Sequence, residues 1–230
     1  MPARKKDTLF FDRPPVVAAW AAAGGKKESE GPISSQFDFL TQDGGFSAQG
    51  CTDWEQAESL LQQQAAGLCL RKAGVARKDV QLTFAGDLQA QCTASNYTMR
   101  TLGTPFAGVY GACSTMAETL ALAACFAACG LAQQALALTS SHFCAAERQF
   151  RTPLSYGAKR TPTAQWTATA AGACLVRAPG SAEDRIKILR ACPRGVKIPQ
   201  QRVGGSGHHG GAHIVDVAHG VVLHTSKGDR

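Results

Sequence analysis

Two stretches of the chain carry apolar residues at helical spacing, and they differ in how apolar they are. Over residues 54–73 apolar positions recur every three to four residues, and Gly74 follows as a helix stop. This pattern predicts an amphipathic helix that covers one face of a core. Residues 116–129 contain only Glu118 and Thr119 as polar residues. They predict a helix that is buried on every side, between sheets.

Short apolar runs elsewhere in the chain predict strands, and residues 88–100 show a weaker helical pattern. The predicted strands cover residues 16–20, 80–85, 106–112, 134–140 and 166–177. Helices that alternate with short buried strands predict an α/β fold with a largely parallel sheet. Ligands of such sheets bind beyond the carboxyl ends of the strands.

Composition divides the chain into three parts. Residues 1–35 mix charges with proline and glycine and predict an extended N-terminal arm that includes the strand at 16–20. Residues 36–190 form the predicted α/β domain, and residues 191–230 are a Gly/His-rich tail that is expected to be irregular. Neither a secretory signal peptide nor an apolar run long enough to span a membrane is predicted.

Charge and cysteine usage exclude some classes of function. The chain has a net charge of +7, but residues 31–180 are nearly neutral, which disfavours a nucleic-acid-binding face. Nine cysteines without a CxxC pair indicate reduced thiols in a cytosol-like compartment. The tail histidines lie among glycines, which provide no rigid scaffold, so no metal site is predicted.

Cys113 lies between the strand at 106–112 and the all-apolar helix. The N–H groups of the first helical turn and the helix dipole favour a thiolate there, as in an activated nucleophile or an anion-binding pocket. The alternative is a packed core cysteine. Asp87 and His142 follow two other predicted strands, so we expect them near the same edge of the sheet.

Two arginines, Arg148 and Arg151, follow shortly after His142. Planar guanidinium groups bind carboxylates bidentately, so the pair suits a dicarboxylate ligand, although an ion-pair network with Glu147 explains it equally well. His142 is a pocket residue or a structural hydrogen bonder. Asp87 is expected to accept structural hydrogen bonds, because one carboxylate is too few for a calcium site.

Five motifs of the chain are distinctive: Phe84-Ala-Gly-Asp-Leu88, Gly108-Val-Tyr-Gly-Ala-Cys-Ser-Thr-Met116, Thr139-Ser-Ser-His142, Ala146-Glu-Arg-Gln-Phe-Arg151 and Pro162-Thr-Ala-Gln-Trp166. In their order and spacing they resemble the stage V sporulation protein AD family of endospore-forming bacteria. The resemblance covers roughly residues 9–176, and the family belongs to the thiolase-like superfamily. It implies a duplicated α/β unit with buried helices between two sheets, of which this chain matches the first half.

The resemblance implies a non-catalytic protein of spore formation and germination. Such proteins bind dipicolinic acid (pyridine-2,6-dicarboxylate), alone or as its calcium chelate, for uptake into and release from the spore. They work with membrane proteins of the same operon, so a peripheral location at the cytoplasmic face of the spore inner membrane is expected. No cofactor is expected, and the expected ligand-binding residues are Cys113, Asp87, His142, Arg148 and Arg151.

Cys113 also falls at the nucleophile position of the condensing enzymes, which keeps an acyltransferase acting on a coenzyme A or carrier-protein thioester as the alternative. Those enzymes take their histidine and asparagine partners from the second half of the fold, so no catalytic residue is expected here. A third alternative is an interaction protein that docks to a membrane channel through its basic end. The superfamily also pairs through its sheets, which makes a homodimer an expected partner arrangement.

The chain departs from the family pattern after about Cys192. Family members are considerably longer, and the Gly/His-rich tail matches none of their motifs. One hypothesis is that a frameshift or an early stop replaced the remainder, leaving a shortened copy. Comparison of the gene's other reading frames tests this hypothesis.

Overall fold

The computed structural model describes residues 2–6, 8–43, 46, 49–89, 92–150, 167–180, 186–192 and 220–225. The strands are β1 Ala3–Lys5, β2 Thr8–Phe10, β3 Val16–Gly24, β4 Phe39–Leu40, β5 Leu82–Asp87, β6 Phe106–Gly108, β7 Gln134–Ser141, β8 Ala170–Arg177, β9 Ile186–Cys192 and β10 Gly220–Thr225. The helices are α1 Lys26–Ser29, α2 Trp54–Ala73, α3 Thr93–Leu102, α4 Thr115–Ala128 and α5 Phe143–Phe150.

The strands form one mixed sheet. Its order is β1-β2-β9-β3-β8-β7-β5-β6, with β4 beside β3 and β10 beside β9. Strands β6, β5 and β7 run parallel, whereas β8 is antiparallel to both β7 and β3. Apart from the two-residue pairing of β4 with β3, parallel pairing is therefore limited to one end of the sheet. Hydrophobic periodicity identifies buried strands but not the direction in which each one runs.

Helix α2 matches the predicted bounds, ends at the predicted stop Gly74 and is capped at its start by Asp53. The Asp53 carboxylate accepts the backbone N–H of Gln56 at 2.7 Å, and Gly74 takes the left-handed conformation with φ of 64°. Leu61 and Ala65 are fully buried in the core that α2 forms with β3, β7 and β8. This helix covers one face of the sheet.

Helix α4 covers the opposite face. Two successive residues of β7 show this arrangement, because successive side chains of a strand point to opposite faces. Leu136 packs in the core that contains α2, and Ala137 packs in the core that contains α4. On α4, Ala123 and Ala127 are buried against the sheet, while Ala121 on the outer side is half-buried. The described sheet thus covers one side of a helix that we expected to be buried all round.

No described helix is long and apolar enough to cross a membrane.

The N-terminal residues contribute more to the sheet than the pattern predicted. The strand expected at 16–20 continues to Gly24, and β3 lies in the interior of the sheet between β9 and β8. Ala19, Ala21 and Ala23 are buried there, because alternate positions of a strand point to the same face. Residues 16–24 are therefore part of the core, in contrast to the extended arm predicted for residues 1–35.

One segment of the tail also departs from the expectation of an irregular structure. Strand β10 pairs antiparallel with β9, with Gly220 opposite Cys192 and Thr225 opposite Ile186. Backbone pairing of this kind satisfies N–H and C=O groups without requiring a particular side chain, so sequence similarity does not detect it. The remaining tail residues, 193–219 and 226–230, lie outside the described residues.

Candidate functional site

The carboxyl ends of β5, β6 and β7 meet at one edge of the sheet. Asp87 ends β5 and pairs in register with Ser140 of β7, and β6 ends beside β5. His142 follows β7, and the loop after β6 leads to Cys113. The fold thus brings Asp87, Cys113 and His142 to the same edge, although they are far apart in the sequence.

Behind this edge lies a group of buried polar side chains, which we call the buried polar cluster. Two of its members come from the buried side of α2, and the others come from the ends of β5 and β7 and from the start of α3. Each member is at most 7% exposed. The members are Glu58, Gln62, Asp87, Gln89, Ser95 and Ser140.

Glu58 lies at the centre of the cluster and is surrounded by donors. Its Oε1 accepts the Ser140 hydroxyl at 2.8 Å, its Oε2 accepts the Gln89 amide at 3.0 Å, and the backbone N–H of His142 also donates to it. Burial, reinforced by the nearby charge of Asp87, nevertheless raises the pKa of Glu58 to about 7. Glu58 therefore changes its protonation state near neutral pH.

Asp87 caps helix α3 from outside the helix. Its Oδ2 accepts both the backbone N–H and the hydroxyl of Ser95, at 2.8 and 2.7 Å, and its Oδ1 accepts the backbone N–H of Gln89 at 3.0 Å. Burial raises the pKa of Asp87, and these hydrogen bonds oppose the shift. The carboxylate oxygens are thus used within the protein, as the structural interpretation of Asp87 expects.

Gln62 links the two carboxylates through two serine hydroxyls. Its amide nitrogen donates to Ser95 at 3.1 Å and to Ser140 at 3.2 Å. Those hydroxyls donate in turn to Asp87 and Glu58. Its own carbonyl oxygen is buried and has no hydrogen-bond partner among the described residues. The amide therefore sets the direction of all four hydrogen bonds that join these five groups.

His142 is buried against the start of α2. Its ring stacks on Trp54 with centroids 5.2 Å apart and an interplanar angle of 22°, and its Nδ1 accepts the backbone N–H of Cys144 at 3.2 Å. An Nδ1 that accepts a hydrogen bond leaves Nε2 as the donor in the neutral ring. These contacts fix the orientation of the imidazole at the edge of the sheet.

Cys113 lies in a 3-10 turn, residues 112–114, that directly precedes α4. Its side chain is exposed, and the preceding Ala112 has a left-handed backbone with φ of 49°. Partial burial raises the pKa of Cys113, so the neutral thiol predominates at neutral pH. Desolvation thus acts against the thiolate that the helix N-terminus favours.

Tyr110, in the loop that leads to Cys113, contacts the loop after β5. Burial raises the pKa of Tyr110, and the charges of Asp87, Cys92 and Cys113 add to the shift. The Tyr110 hydroxyl donates to the carbonyl of Leu88 at 3.2 Å. This hydrogen bond joins the loops after β5 and β6.

The arginines of the predicted site are placed in part. Arg148 lies on α5, the helix that begins immediately after His142, but its side chain is outside the described part of the chain. Arg151 and the 162–166 motif lie outside the described residues altogether. The expected contact between two guanidinium groups and a dicarboxylate therefore stays a prediction.

Comparison with known proteins identifies the family. The family model for stage V sporulation protein AD (SpoVAD) matches residues 5–219. Stage V sporulation protein AD of Bacillus subtilis (strain 168) is 41% identical over 173 residues, which cover 74% of this chain and 50% of that protein. The chain belongs to the stage V sporulation protein AD family. It spans about half the length of this curated SpoVAD relative.

Solved structures show that this SpoVAD-family chain has a thiolase-like fold. Cerulenin-bound OleA from Xanthomonas campestris superposes with a TM-score of 0.55 at 16% identity, covering 81% of this chain and 63% of OleA. A variant of the same OleA gives a TM-score of 0.54 at 13% identity, with 81% and 65% covered. At such identities the likeness concerns the fold alone.

The sequence pattern did not single out Glu58, Gln62 or Ser95, whereas Ser140 lies in the 139–142 motif at the end of a predicted strand. A signal was present on α2, since Glu58 and Gln62 are four residues apart and share a helix face with the buried Leu61 and Ala65. A carboxylate and an amide on the buried stripe of an amphipathic helix require polar partners. The identity of those partners depends on which strand ends lie under the helix.

Proposed function

We propose that this SpoVAD-family chain is a non-catalytic dipicolinate-binding protein that serves spore formation and germination. In this role it binds pyridine-2,6-dicarboxylate, alone or as the calcium chelate, for uptake into and release from the spore. The observation that carries the proposal is the family match over residues 5–219. Membrane proteins of the same operon are the proposed partners, at the cytoplasmic face of the spore inner membrane.

The chemistry of the sheet edge supports an anionic ligand. Cys113 offers an exposed neutral thiol, which can donate a hydrogen bond without repelling a carboxylate. Arg148 and Arg151 supply the positive charge in this proposal, on α5 and just after it. Asp87 and His142 are buried behind the edge. The hydrogen bonds of Asp87 and the ring stacking of His142 hold the backbone of the edge in place.

An acyltransferase is the second candidate, because Cys113 is exposed at the start of α4 and the fold resembles that of OleA. Such a reaction needs a thiolate, and the raised pKa of Cys113 argues against one at neutral pH. Incubation with acyl-coenzyme A followed by mass spectrometry distinguishes the candidates. A stable acyl adduct on Cys113 supports the transferase, and an unmodified thiol supports the binding protein.

Isothermal titration of the full chain with dipicolinate, with and without calcium, tests the binding function. We expect saturable binding that Cys113→Trp abolishes, because the bulky ring fills the space beside the thiol. Arg148→Ala should weaken binding by about 1.5–3 kcal/mol, or roughly 10- to 150-fold, for one charge-assisted interaction. Arg77→Ala is the matched control, since Arg77 precedes the opposite end of β5.

Three results would count against this function. A folded wild-type chain that gives no heat with dipicolinate contradicts binding altogether. An isotherm that Cys113→Trp leaves unchanged places the ligand elsewhere. Equal losses in Arg148→Ala and Arg77→Ala show that general charge, rather than a specific guanidinium group, governs affinity.

A further inference from the structure

Two buried carboxylates lie directly behind the edge at which an anionic ligand is proposed to bind. Gln89 contacts both of them, with its side-chain amide on Glu58 at 3.0 Å and its backbone N–H on Asp87 at 3.0 Å. Glu58 is 1% exposed and Asp87 is 1% exposed. Like charges that are buried together raise the free energy of the site, and a bound dicarboxylate adds two more.

We propose that Glu58 takes up a proton when an anionic ligand binds at this edge, so that binding is coupled to protonation. The inference rests on the proposed dicarboxylate-binding function. Glu58 is a positioning residue in this scheme, because it acts through Ser140, Gln89 and the backbone of His142 and not by touching the ligand.

The surroundings of the two carboxylates select Glu58 as the proton acceptor. Asp87 receives the N–H and the hydroxyl of Ser95 at the N-terminus of α3, where the helix dipole favours a negative charge. Glu58 is on the buried side of α2 and faces the charge of Asp87. Protonation of Glu58 therefore costs less favourable interaction energy than protonation of Asp87.

The hydrogen-bond network can accommodate the proton with one local change. The proton, supplied by the solvent or buffer, forms an O–H bond on Oε2 of Glu58. Rotation of the Gln89 amide by 180° then turns its carbonyl oxygen toward that O–H, replacing the N–H donor that now faces Oε2. Ser140 and the backbone of His142 continue to donate to the carboxyl group. The loops after β5 and β7 thus keep their contact with Glu58 in both protonation states.

Other titratable groups surround the cluster and have to be separated from Glu58. Among the described side chains these are Asp87 on β5, His142 after β7, Cys144 on α5 and Cys92 at the start of α3. On α2 itself the other buried polar side chains are Ser59 and Gln62, which do not titrate. The experiment therefore compares the effect of removing Glu58 with that of removing an exposed carboxylate.

Calorimetric titration with dipicolinate in phosphate and in Tris, buffers that differ in ionisation enthalpy, measures the protons taken up on binding. For the wild-type chain we expect about half a proton per ligand at pH 7 and close to one at pH 8, with Kd rising by up to about tenfold per pH unit above pH 7. Glu58→Gln should show almost no uptake and a flat pH profile. Asp79→Asn, which removes an exposed carboxylate, should behave like wild type.

The outcomes separate this inference from the function on which it rests. Dipicolinate binding by wild type with equal proton uptake in Glu58→Gln overturns the coupling but leaves the binding function in place. No dipicolinate binding by wild type at any pH overturns both. If Glu58→Gln does not fold, infrared spectra of the wild-type chain decide. A carboxylic-acid C=O band that appears on adding dipicolinate at pH 8 supports the coupling, and its absence overturns it.

Discussion

Replacing Glu58 by glutamine is the perturbation that tests the buried polar cluster most directly, even without a ligand. Glutamine has nearly the same shape but cannot ionise. Its carbonyl oxygen can accept from Ser140, and rotation of the Gln89 amide gives its N–H₂ group an acceptor. The variant therefore keeps the packing of α2 and removes only the titration.

The magnitude follows from the raised pKa. Burial moves the pKa of Glu58 from the usual 4.5 to about 7, and this difference corresponds to about 3 kcal/mol. Because the folded state holds the proton more tightly than the unfolded state, the unfolding free energy decreases as pH rises through this window. The stabilisation is fully present below pH 4.5 and is lost above pH 7.

The assay is urea denaturation of wild type and Glu58→Gln at pH 5, 6, 7 and 8. Other titrating groups contribute to both proteins, so the difference between the two curves isolates Glu58. We expect wild type to lose about 2.5 kcal/mol more than the variant between pH 5 and pH 8. Asp79→Asn, which removes an exposed carboxylate, should follow the wild-type curve.

Two results would refute this reasoning. Parallel pH profiles for wild type and Glu58→Gln would mean that Glu58 has an ordinary pKa in the folded protein. A wild-type unfolding free energy that increases relative to the variant from pH 5 to pH 8 would mean that the donors around Glu58 outweigh its burial. In either case the proton-coupled binding proposed above would lose its basis.

Two further predictions concern the edge of the sheet. Gly86→Ala should destabilise the protein by roughly 1–3 kcal/mol, because the new methyl group would overlap the carbonyl oxygen of Val109. An unchanged thermal midpoint would contradict the close approach of β5 to the loop after β6. Trp54→Phe should remove most of the tryptophan fluorescence change on dipicolinate binding, because Trp54 stacks on His142. A variant that keeps the full fluorescence change would place the ligand away from this histidine.

The sequence predicted the elements that local rules control. Helix α2 begins and ends where Asp53 and Gly74 cap it, because capping depends on residues within one turn of the helix end. Strands β5 and β7 lie where short apolar runs were found. The placement of Asp87 and His142 at strand ends follows from those bounds, and the motifs at the same positions carried the family resemblance.

The structure changed the elements that depend on distant partners. The run at 106–112 forms only the short β6, followed by a 3-10 turn in which Ala112 has a positive φ. The direction of β8 and the pairing of β3 and β10 rest on backbone hydrogen bonds that leave no side-chain pattern.

The amino-acid sequence alone determined the α/β class, the capped helix α2, the Cys113 junction and the family. Tertiary structure decided the chemistry of the cluster. Glu58 and Gln62 are ordinary polar residues until α2 packs over β5 and β7. That packing removes water from both carboxylates. Glu58 then depends on hydrogen-bond donors that are distant in the chain, Gln89 at 31 residues and Ser140 at 82 residues from it. The raised pKa of Glu58 results from this desolvation, which no local sequence pattern encodes.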